Sequence, residues 1–249
     1  SLNPVKLTGK TVWLRVDFNA KYRIDRSLPT IEYLKKSGAK IILATHLSDQ
    51  TASLESVIDY LKTKINLDGI TILPNLRTFV GEEENSEVLA KEWASSADIY
   101  VNEAFAVSHR AHASIVSLPK LLPSYVGFNF MEEVENLSRC FTPVHSSLLI
   151  VGGAKLESKL PVIDKFKPIV DKILIGGKLV YDFLNNTDPQ IIVPKELVRV
   201  GDEILDVVIT NEIKELVKNS KRIIWAGPMG IYDHGYPEGT LDLAKAIAS

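Results

Sequence analysis

Short apolar segments rich in β-branched residues alternate with segments of helical spacing along most of the 249-residue chain. The first strand is predicted at 11–19, TVWLRVDFN, and the next helix at 27–40. Within that helix Ser27 is the expected N-terminal cap, Pro29 lies in the first turn and Gly38 ends the helix. Because strands that alternate with helices form parallel sheets covered by those helices, the pattern restricts the chain to the α/β class.

The alternation forms two blocks, separated by a predicted helix near 131–141. We therefore expect two Rossmann-like domains, 1–130 and 131–249, each with three layers and a mainly parallel sheet, joined by this hinge helix. The remaining strands are predicted at 41–47, 69–77 and 98–105, and within 146–160, 170–184, 189–196 and 221–230; the remaining helices are predicted at 54–65, 86–97, near 211–219 and at 241–249.

Composition narrows the class of protein further. Hydrophobic residues make up 45% of the chain and charged residues 24%, with a net charge of -2, so no general attraction to nucleic acid or to an anionic membrane is expected. Cys140 is the sole cysteine, which excludes an internal disulfide and a cysteine-based zinc site and fits a reducing compartment. The N-terminal segment lacks the apolar core of a signal peptide, and no segment has the ~18 apolar residues of a membrane span, so a cytoplasmic protein is expected.

Basic and polar residues follow the strands of the first predicted domain. The carboxyl ends of parallel strands meet at one edge of a sheet, and ligands bind there. Taken singly, a strand-end arginine is usually a surface residue and a histidine usually a packed one. The group together predicts a cationic basin for a small phosphorylated acid, because guanidinium groups match phosphate and carboxylate oxygens. Its members are Asp17, Asn19, Arg23, His46, Arg77, His109, Arg110 and His112.

The spacing of His109 and His112 admits a second interpretation, as a metal-binding pair. Helical metal pairs are usually four residues apart, a third ligand would be needed, and Arg110 between the two imidazoles would repel a cation. The anion interpretation is therefore favoured, and no metal-ligating residue is predicted.

The second predicted domain carries glycines where its strands end. VGGAK and IGGK follow two strands, and GPMG follows a third. Such glycines let the backbone approach a ligand, and each following helix offers free N–H groups to phosphate. Lys155 and Lys159, four residues apart, share one face of a helix start. These strand ends predict a nucleotide site, although the sequence has no Walker loop. The lack of G-x-G-x-x-G disfavours a dinucleotide-binding oxidoreductase.

These segments follow one another in the order of a known family. LRVDFN, RIDRSLPTIEYL, NLRTFVGEEEN, VNEAFAVSHRAHAS, GGAKLESKL, DKILIGG and WAGPMG together resemble the phosphoglycerate kinase family over nearly the whole chain. The resemblance implies reversible, Mg²⁺-dependent phosphoryl transfer from 1,3-bisphosphoglycerate to ADP, giving 3-phosphoglycerate and ATP in glycolysis. It also implies 3-phosphoglycerate binding by 1–130, ATP or ADP binding by 131–249, hinged closure, and a monomer with only small-molecule partners.

The resemblance implies a role for each site residue. Asp17 and Asn19 match positions that bind the glycerate hydroxyl and carboxylate, and Arg23 matches the arginine that stabilises the transferring phosphoryl group. Lys155 and Lys159 match phosphate-binding lysines, so Arg23 and Lys159 are the expected catalytic residues. The basin is completed by His46, Arg77, His109, Arg110 and His112, and the other nucleotide positions are Gly153, Gly176, Gly177, Gly227, Pro228 and Asp233.

The chain also departs from the family pattern. RVDFNA runs directly into YRIDRSLP where the family has a loop, THL lacks the following Gly-Arg-Pro, and Lys178 and Ala226 replace a Gly and an Asn. The Gly-Gly-Gly-Asp-Thr segment that holds the family's metal is not in the sequence. Two interpretations remain open: a catalytically silent relative that only binds nucleotide or phosphoglycerate, or an enzyme whose mobile loops and C-terminal segment lie outside the given sequence. The abrupt cuts beside intact motifs favour the second.

Overall fold

The structure, a computed structural model, describes residues 2, 5–49 and 53–249. The chain divides into two compact units, residues 1–136 and 137–249. Each unit has its own main sheet and its own apolar core. The predicted α/β class with mainly parallel sheets is confirmed. In the described ranges, no helix is both long enough and apolar enough to cross a bilayer.

The first unit is built on a parallel sheet of five strands. In chain order its elements are β1 Thr11–Asp17, α1 Lys21–Lys36, β2 Lys40–His46, α2 Glu55–Lys62, β3 Ile70–Ile72, α3 Glu87–Ala94, β4 Ile99–Asn102, β5 Ser124–Val126 and α4 Phe128–Cys140. The strand order is β3-β2-β1-β4-β5, so β1 lies at the centre, and α4 continues across the boundary between the two units.

The central strand β1 separates two apolar clusters because its side chains alternate between the faces of the sheet. Leu14 and Val16 belong to one cluster with Ile31 of α1. Trp13 belongs to the other, where its ring lies 5.4 Å from that of Trp93 in α3. Burial on both faces explains why this strand reads as a nearly continuous apolar run.

The second unit is built on a parallel sheet of four strands beside an antiparallel hairpin of two strands. In chain order its elements are β6 Ser147–Val151, α5 Leu156–Phe166, β7 Lys172–Ile175, α6 Val180–Phe183, β8 Ile191–Ile192, β9 Leu197–Val200, β10 Glu203–Val207, α7 Asn211–Lys218, β11 Arg222–Ala226 and α8 Glu238–Ala248. The order of the parallel strands is β11-β6-β7-β8, and β9 and β10 form the hairpin. Strand β6 is buried along its whole length within the apolar core.

Helix α1 begins earlier than the sequence predicts. Ser27 is not its N-terminal cap but an interior residue whose hydroxyl donates to the carbonyl of Arg23 at 2.9 Å. Pro29 lies inside the helix, where proline usually costs about 3 kcal/mol. The buried face of the helix starts as early as Ile24, and this burial outweighs the proline. The predicted end is confirmed, because α1 stops just before Gly38, whose φ is +76°.

The hairpin of β9 and β10 is absent from the sequence predictions. Its signal is present in LVRVGDEILDV, where two β-rich runs flank Gly201, which has a left-handed φ of +57°. The strand predicted at 189–196 is reduced to β8, which has only two residues. Because strands alternate with helices in the rest of the chain, this antiparallel pair was not predicted from the sequence.

Candidate functional site

Four of the predicted site residues meet at the carboxyl edge of the first sheet. Asp17 ends β1 and lies opposite His46, which ends β2. Asn19 donates to Asp17 Oδ1 from its backbone N at 3.1 Å and from Nδ2 at 2.7 Å. Arg23, in the first turn of α1, pairs with Asp17 Oδ2 because only residues 18–20 separate this helix from β1. These four residues are called the Asp17 cluster below.

The carboxyl group of Asp17 is ionised at neutral pH although it is 95% buried. Burial by itself raises its pKa, but the hydrogen bonds from Asn19 and the nearby positive charge of Arg23 outweigh burial, and the pKa lies below its ordinary value. The negative charge of Asp17 therefore holds Asn19 and Arg23 in place at the edge of the sheet.

His46 is neutral at physiological pH. Burial, followed by the positive charge of Arg15, lowers the pKa of its imidazole to about 3. Arg15 Nη2 lies 3.2 Å from His46 Nδ1, and a guanidinium group can only donate. The imidazole can therefore offer a hydrogen bond to an anion, but it brings no positive charge.

Arg77 lies beside the Asp17 cluster, in contact with Ser48 and Glu83. Its Nη1 donates to the carbonyl of Ser48 at 3.4 Å, and its Nε lies 3.5 Å from Glu83 Oε1, an ion-pair distance too long for a good hydrogen bond. Among the described residues, this buried Nε has no hydrogen-bond partner. The carboxylate of Glu83 therefore faces this nitrogen, and the contact with Ser48 holds the guanidinium next to the cluster.

The segment around Arg110 gives mixed support for the predicted basin. His112 is half-buried, with Nδ1 3.7 Å from Glu82 Oε1, and burial lowers its pKa. Arg110 is exposed, yet its charge and that of Arg77 both contribute to the low pKa of His46. His109 is also exposed. The structure therefore brings Arg110 within electrostatic reach of the cluster.

Three buried residues that the sequence reasoning missed support this edge of the sheet. Arg15 is 99% buried in the middle of β1, and its Nε donates to Ser114 Oγ at 3.0 Å. Ser114 in turn donates to Glu82, at 2.6 Å from its hydroxyl and 2.9 Å from its backbone N. A charged residue within the apolar run of a central strand was the available signal for Arg15.

In the second unit the loops after β6, β7 and β11 touch one another through their glycines. A Cβ on Gly177, which has φ +61°, would lie 2.6 Å from both N and O of Gly153. A Cβ on Gly152 would collide with the carbonyl oxygen of Pro228, and one on Gly176 would lie 2.5 Å from Met229 Cε. The missing side chains thus permit loop–loop contact, and contact with a nucleotide stays a prediction.

The predicted nucleotide residues surround these loops. Lys155 is the N-terminal cap position of α5, and Lys159 follows in its first turn. The position of a Cβ on Gly153 would be 3.7 Å from Lys159 Cε. Pro228 and Asp233 both line a cavity of about 330 Å³ and a neighbouring one of about 410 Å³. The chain therefore places cationic, glycine-rich and acidic groups around concave surface in one unit.

The structure offers no resident magnesium site in the part of the chain that it describes. No three His, Cys, Asp or Glu side chains converge there in a way that could hold a metal ion. Mg²⁺ is usually bound by one or two carboxylates together with phosphate oxygens and water. Asp233 lines the cavities beside the glycine loops. Asp233 offers one carboxylate there, which fits an ion that arrives with nucleotide phosphates.

The sequence matches the family profile described as phosphoglycerate kinase over residues 2–200. Among curated proteins, the phosphoglycerate kinase of Wolbachia sp. subsp. Drosophila simulans (strain wRi) is 32% identical, in an alignment that covers 100% of this chain and 84% of the relative. That of Wolbachia pipientis subsp. Culex pipiens (strain wPip) is 30% identical over the same shares. Both alignments run over 333 positions, more than the chain has residues, so the relatives contain segments that this sequence lacks.

Two solved structures share the fold. The phosphoglycerate kinase from Coxiella burnetii superposes with a TM-score of 0.83 at 23% identity, covering 99% of this chain and 85% of that one. The phosphoglycerate kinase from Pyrococcus horikoshii OT3 gives a TM-score of 0.85 at 23% identity, covering 100% and 85%. Because the family profile spans most of the sequence and the Wolbachia relatives match its full length, the chain belongs to the phosphoglycerate kinase family of phosphotransferases, whose acceptor is a carboxyl group.

Proposed function

We propose that this chain is a phosphoglycerate kinase that reversibly transfers a phosphoryl group from 1,3-bisphosphoglycerate to ADP, with Mg²⁺ carried by the nucleotide, as a step of glycolysis. The observation that carries the proposal is the Asp17 cluster, a preorganised set at a sheet edge in which Arg23 and His46 offer donors to an anion and Asp17 offers an acceptor to a hydroxyl. Phosphoryl transfer needs positioning and neutralisation of charge more than a covalent nucleophile, and the site residues supply both.

The first unit binds 3-phosphoglycerate in this proposal. Asp17 accepts from the glycerate hydroxyl, and Asn19 and His46 contact the carboxylate. Arg77, whose guanidinium contacts Ser48 beside the cluster, is a further anion ligand in this proposal. Arg23 has one nitrogen on Asp17 and a side chain that is 35% exposed, so part of its guanidinium is available to the transferring phosphoryl group. Arg110, His109 and His112 form the outer wall of the basin.

The second unit binds ATP or ADP. Lys155 and Lys159 hold phosphates, with Lys159 following the phosphoryl group in transit. Bound Mg²⁺ supplies charge neutralisation at the phosphate oxygens. The adenine and ribose lie against the loops after the strands, at Gly153, Gly176, Gly177, Gly227, Pro228 and Asp233. Four of these residues line the two cavities, which supports this assignment: Gly153, Gly227, Pro228 and Asp233.

The protein acts as a cytoplasmic monomer on small molecules, without a nucleic-acid or membrane partner. The net charge of -2 supports this proposal, because it provides no general attraction to either polyanion. Sedimentation of the purified protein tests the monomer, and an oligomer at micromolar concentration would contradict it.

The test of the activity is a coupled assay for ATP consumption that depends on 3-phosphoglycerate, run with and without Mg²⁺. We expect turnover that is lost when either 3-phosphoglycerate or Mg²⁺ is omitted. Calorimetric binding of ADP and of 3-phosphoglycerate is measured on the same sample. Binding of both without turnover would contradict the proposal and identify a catalytically silent relative.

A further inference from the structure

The inner side of His46 faces an arginine that the proposed reaction does not use. Arg15 directs each nitrogen of its guanidinium to a different acceptor: Nε to Ser114 Oγ at 3.0 Å, Nη1 to the carbonyl of Val16 at 2.6 Å, and Nη2 to His46 Nδ1 at 3.2 Å. Its side chain is 99% buried. Each nitrogen of this guanidinium thus has an acceptor within the protein, and its burial keeps it from contact with an anionic ligand.

The charge of Arg15 is balanced inside the unit. Glu82 is 99% buried and accepts the Ser114 hydroxyl at 2.6 Å, so one hydroxyl links the guanidinium to the carboxylate. A buried charge without such a partner would be strongly destabilising. Arg15, Ser114 and Glu82 come from distant parts of the sequence and form one closed network behind His46.

This network fixes the position of the proton on His46. Since guanidinium nitrogens only donate, His46 Nδ1 must accept, and the neutral ring then carries its proton on Nε2. Asn19 Nδ2 lies 3.3 Å from Nε2, but its two hydrogens go to nearer acceptors, Asp17 Oδ1 at 2.7 Å and the carbonyl of His46 at 3.2 Å, so none is left for the ring. The amide orientation of Asn19 follows from its other contacts, because Oδ1 accepts from Ser48 N at 2.7 Å while Nδ2 donates to Asp17 at 2.7 Å.

The Nε2–H of His46 is consequently left without an acceptor among the described residues. A buried donor in this state costs free energy unless a ligand oxygen satisfies it. Its neighbours are the Asp17 cluster and the charges of Arg15, Arg77 and Arg110, which act on the ring from β1, from the residues after β3 and from the segment after β4.

We propose that Arg15 is a positioning residue that holds His46 as the neutral Nε2–H tautomer, so that this imidazole donates one hydrogen bond to an oxygen of an anionic substrate. The identity of that substrate as 3-phosphoglycerate rests on the proposed function. The tautomer itself does not, because it follows from contacts within the first unit.

The first test is the nitrogen NMR spectrum of the wild-type protein labelled with ¹⁵N-histidine. We expect an unprotonated, pyridine-type shift at Nδ1 of His46 and a protonated, pyrrole-type shift at Nε2, unchanged from about pH 5 to about pH 8. Loss of the signal pair in His46→Gln assigns it. A protonated Nδ1, or titration within that range, would overturn the proposal whether or not the protein is active.

The second test removes both buried charges together, in the double variant Arg15→Met with Glu82→Gln, so that neither is left unpaired. We expect His46 to populate both tautomers and to titrate, and KM for 3-phosphoglycerate to rise about tenfold while kcat changes less. Tyr100→Phe is the control, because it deletes a hydroxyl that donates to the Ser114 carbonyl at 2.7 Å while both buried charges and the side-chain hydrogen bonds of Ser114 remain. An unchanged His46 spectrum in the double variant would overturn the proposal. The wild-type spectrum decides the question if that variant does not fold.

Discussion

The edge of the first sheet that carries Asp17 is organised by side chains, whereas the edge of the second sheet that carries Gly152 is organised by backbone. In the first unit, buried charged groups hold one another through hydrogen bonds, as Arg15 and Glu82 do through Ser114. In the second unit, loops approach so closely that side chains are excluded, as Gly177 against Gly153 illustrates.

Two buried aspartates show the same contrast in electrostatics. Asp17 has a lowered pKa because hydrogen bonds from Asn19 and the charge of Arg23 outweigh its burial. Asp206 in β10 is 99% buried and accepts from Gly239 N at 2.8 Å, but burial prevails and raises its pKa. The two aspartates are thus buried to a similar degree, and their hydrogen bonds and charged neighbours decide the direction in which each pKa shifts.

The largest expected effect is on catalysis in the first unit. Arg23→Ala should lower kcat by about a thousandfold, because an arginine that meets the phosphoryl group in transit stabilises the transition state selectively. KM for 3-phosphoglycerate should change much less. Lys36→Ala is the control, since this exposed residue ends the same helix and forms a surface ion pair with Glu32. A raised KM with unchanged kcat would assign Arg23 to binding alone.

The next effect is on stability in the second unit. Gly177→Ala should cost about 2–4 kcal/mol, because a Cβ there meets both a left-handed φ and the backbone of Gly153. Gly201→Ala is a matched control with φ +57° and no atom within 4 Å of the added Cβ, so it should cost only about 1–2 kcal/mol. Native-state hydrogen exchange of the β6 and β7 amides measures both. Equal losses of stability for the two variants would mean that the contact between the loops of Gly177 and Gly153 adds nothing to the effect of the left-handed φ.

The contribution of a buried aspartate to stability should change with pH in opposite directions in the two units. A lowered pKa means that Asp17 contributes stability above its unfolded pKa of about 4, and that this contribution is lost as pH falls through the folded value. A raised pKa means that Asp206 contributes stability that is lost as pH rises through its folded value. Asp17→Asn should therefore cost more at pH 7 than in acid, and Asp206→Asn the reverse. Carboxyl ¹³C titration of the wild type measures both midpoints, and shifts in the same direction would refute the contrast.

The smallest expected effect is the loss of stability when the N-terminal cap of a helix is removed, and it should be the same in both units. Ser86 caps α3 by accepting from Leu89 N at 3.4 Å, and Thr210 caps α7 by accepting from Ile213 N at 3.5 Å. Replacing either by alanine should cost about 1 kcal/mol, as measured by urea denaturation. Ser95→Ala, at the other end of α3, should cost less because its hydroxyl makes no N-terminal cap. Unequal losses of stability for the two substitutions would show that the units also differ in how strongly their helix caps contribute, and not only in their strand ends.

Much of the fold followed from local patterns. Glycine after α1 and apolar runs at β1, β2 and β6 were enough to predict the α/β class and the ends of several elements. The start of α1 was wrong, because proline suggested a first turn whereas burial of Ile24 in the core extends the helix past it. The hairpin around Gly201 was missed although two β-rich runs flank this glycine, because the parallel alternation of the other elements was extended to this segment.

By itself, the sequence determined the fold class, the family and the strand ends at which Asp17, Asn19, Arg23 and His46 meet, because periodicity and motif order are local properties that survive without coordinates. Only the tertiary structure decided which groups support them. Arg15, Glu82 and Ser114 are far apart in the chain, and their hydrogen bonds exist only once β1 and the later segments pack together. It also decided the protonation of Asp17 and His46, because a pKa depends on burial and neighbouring charge, which are properties of the packed protein.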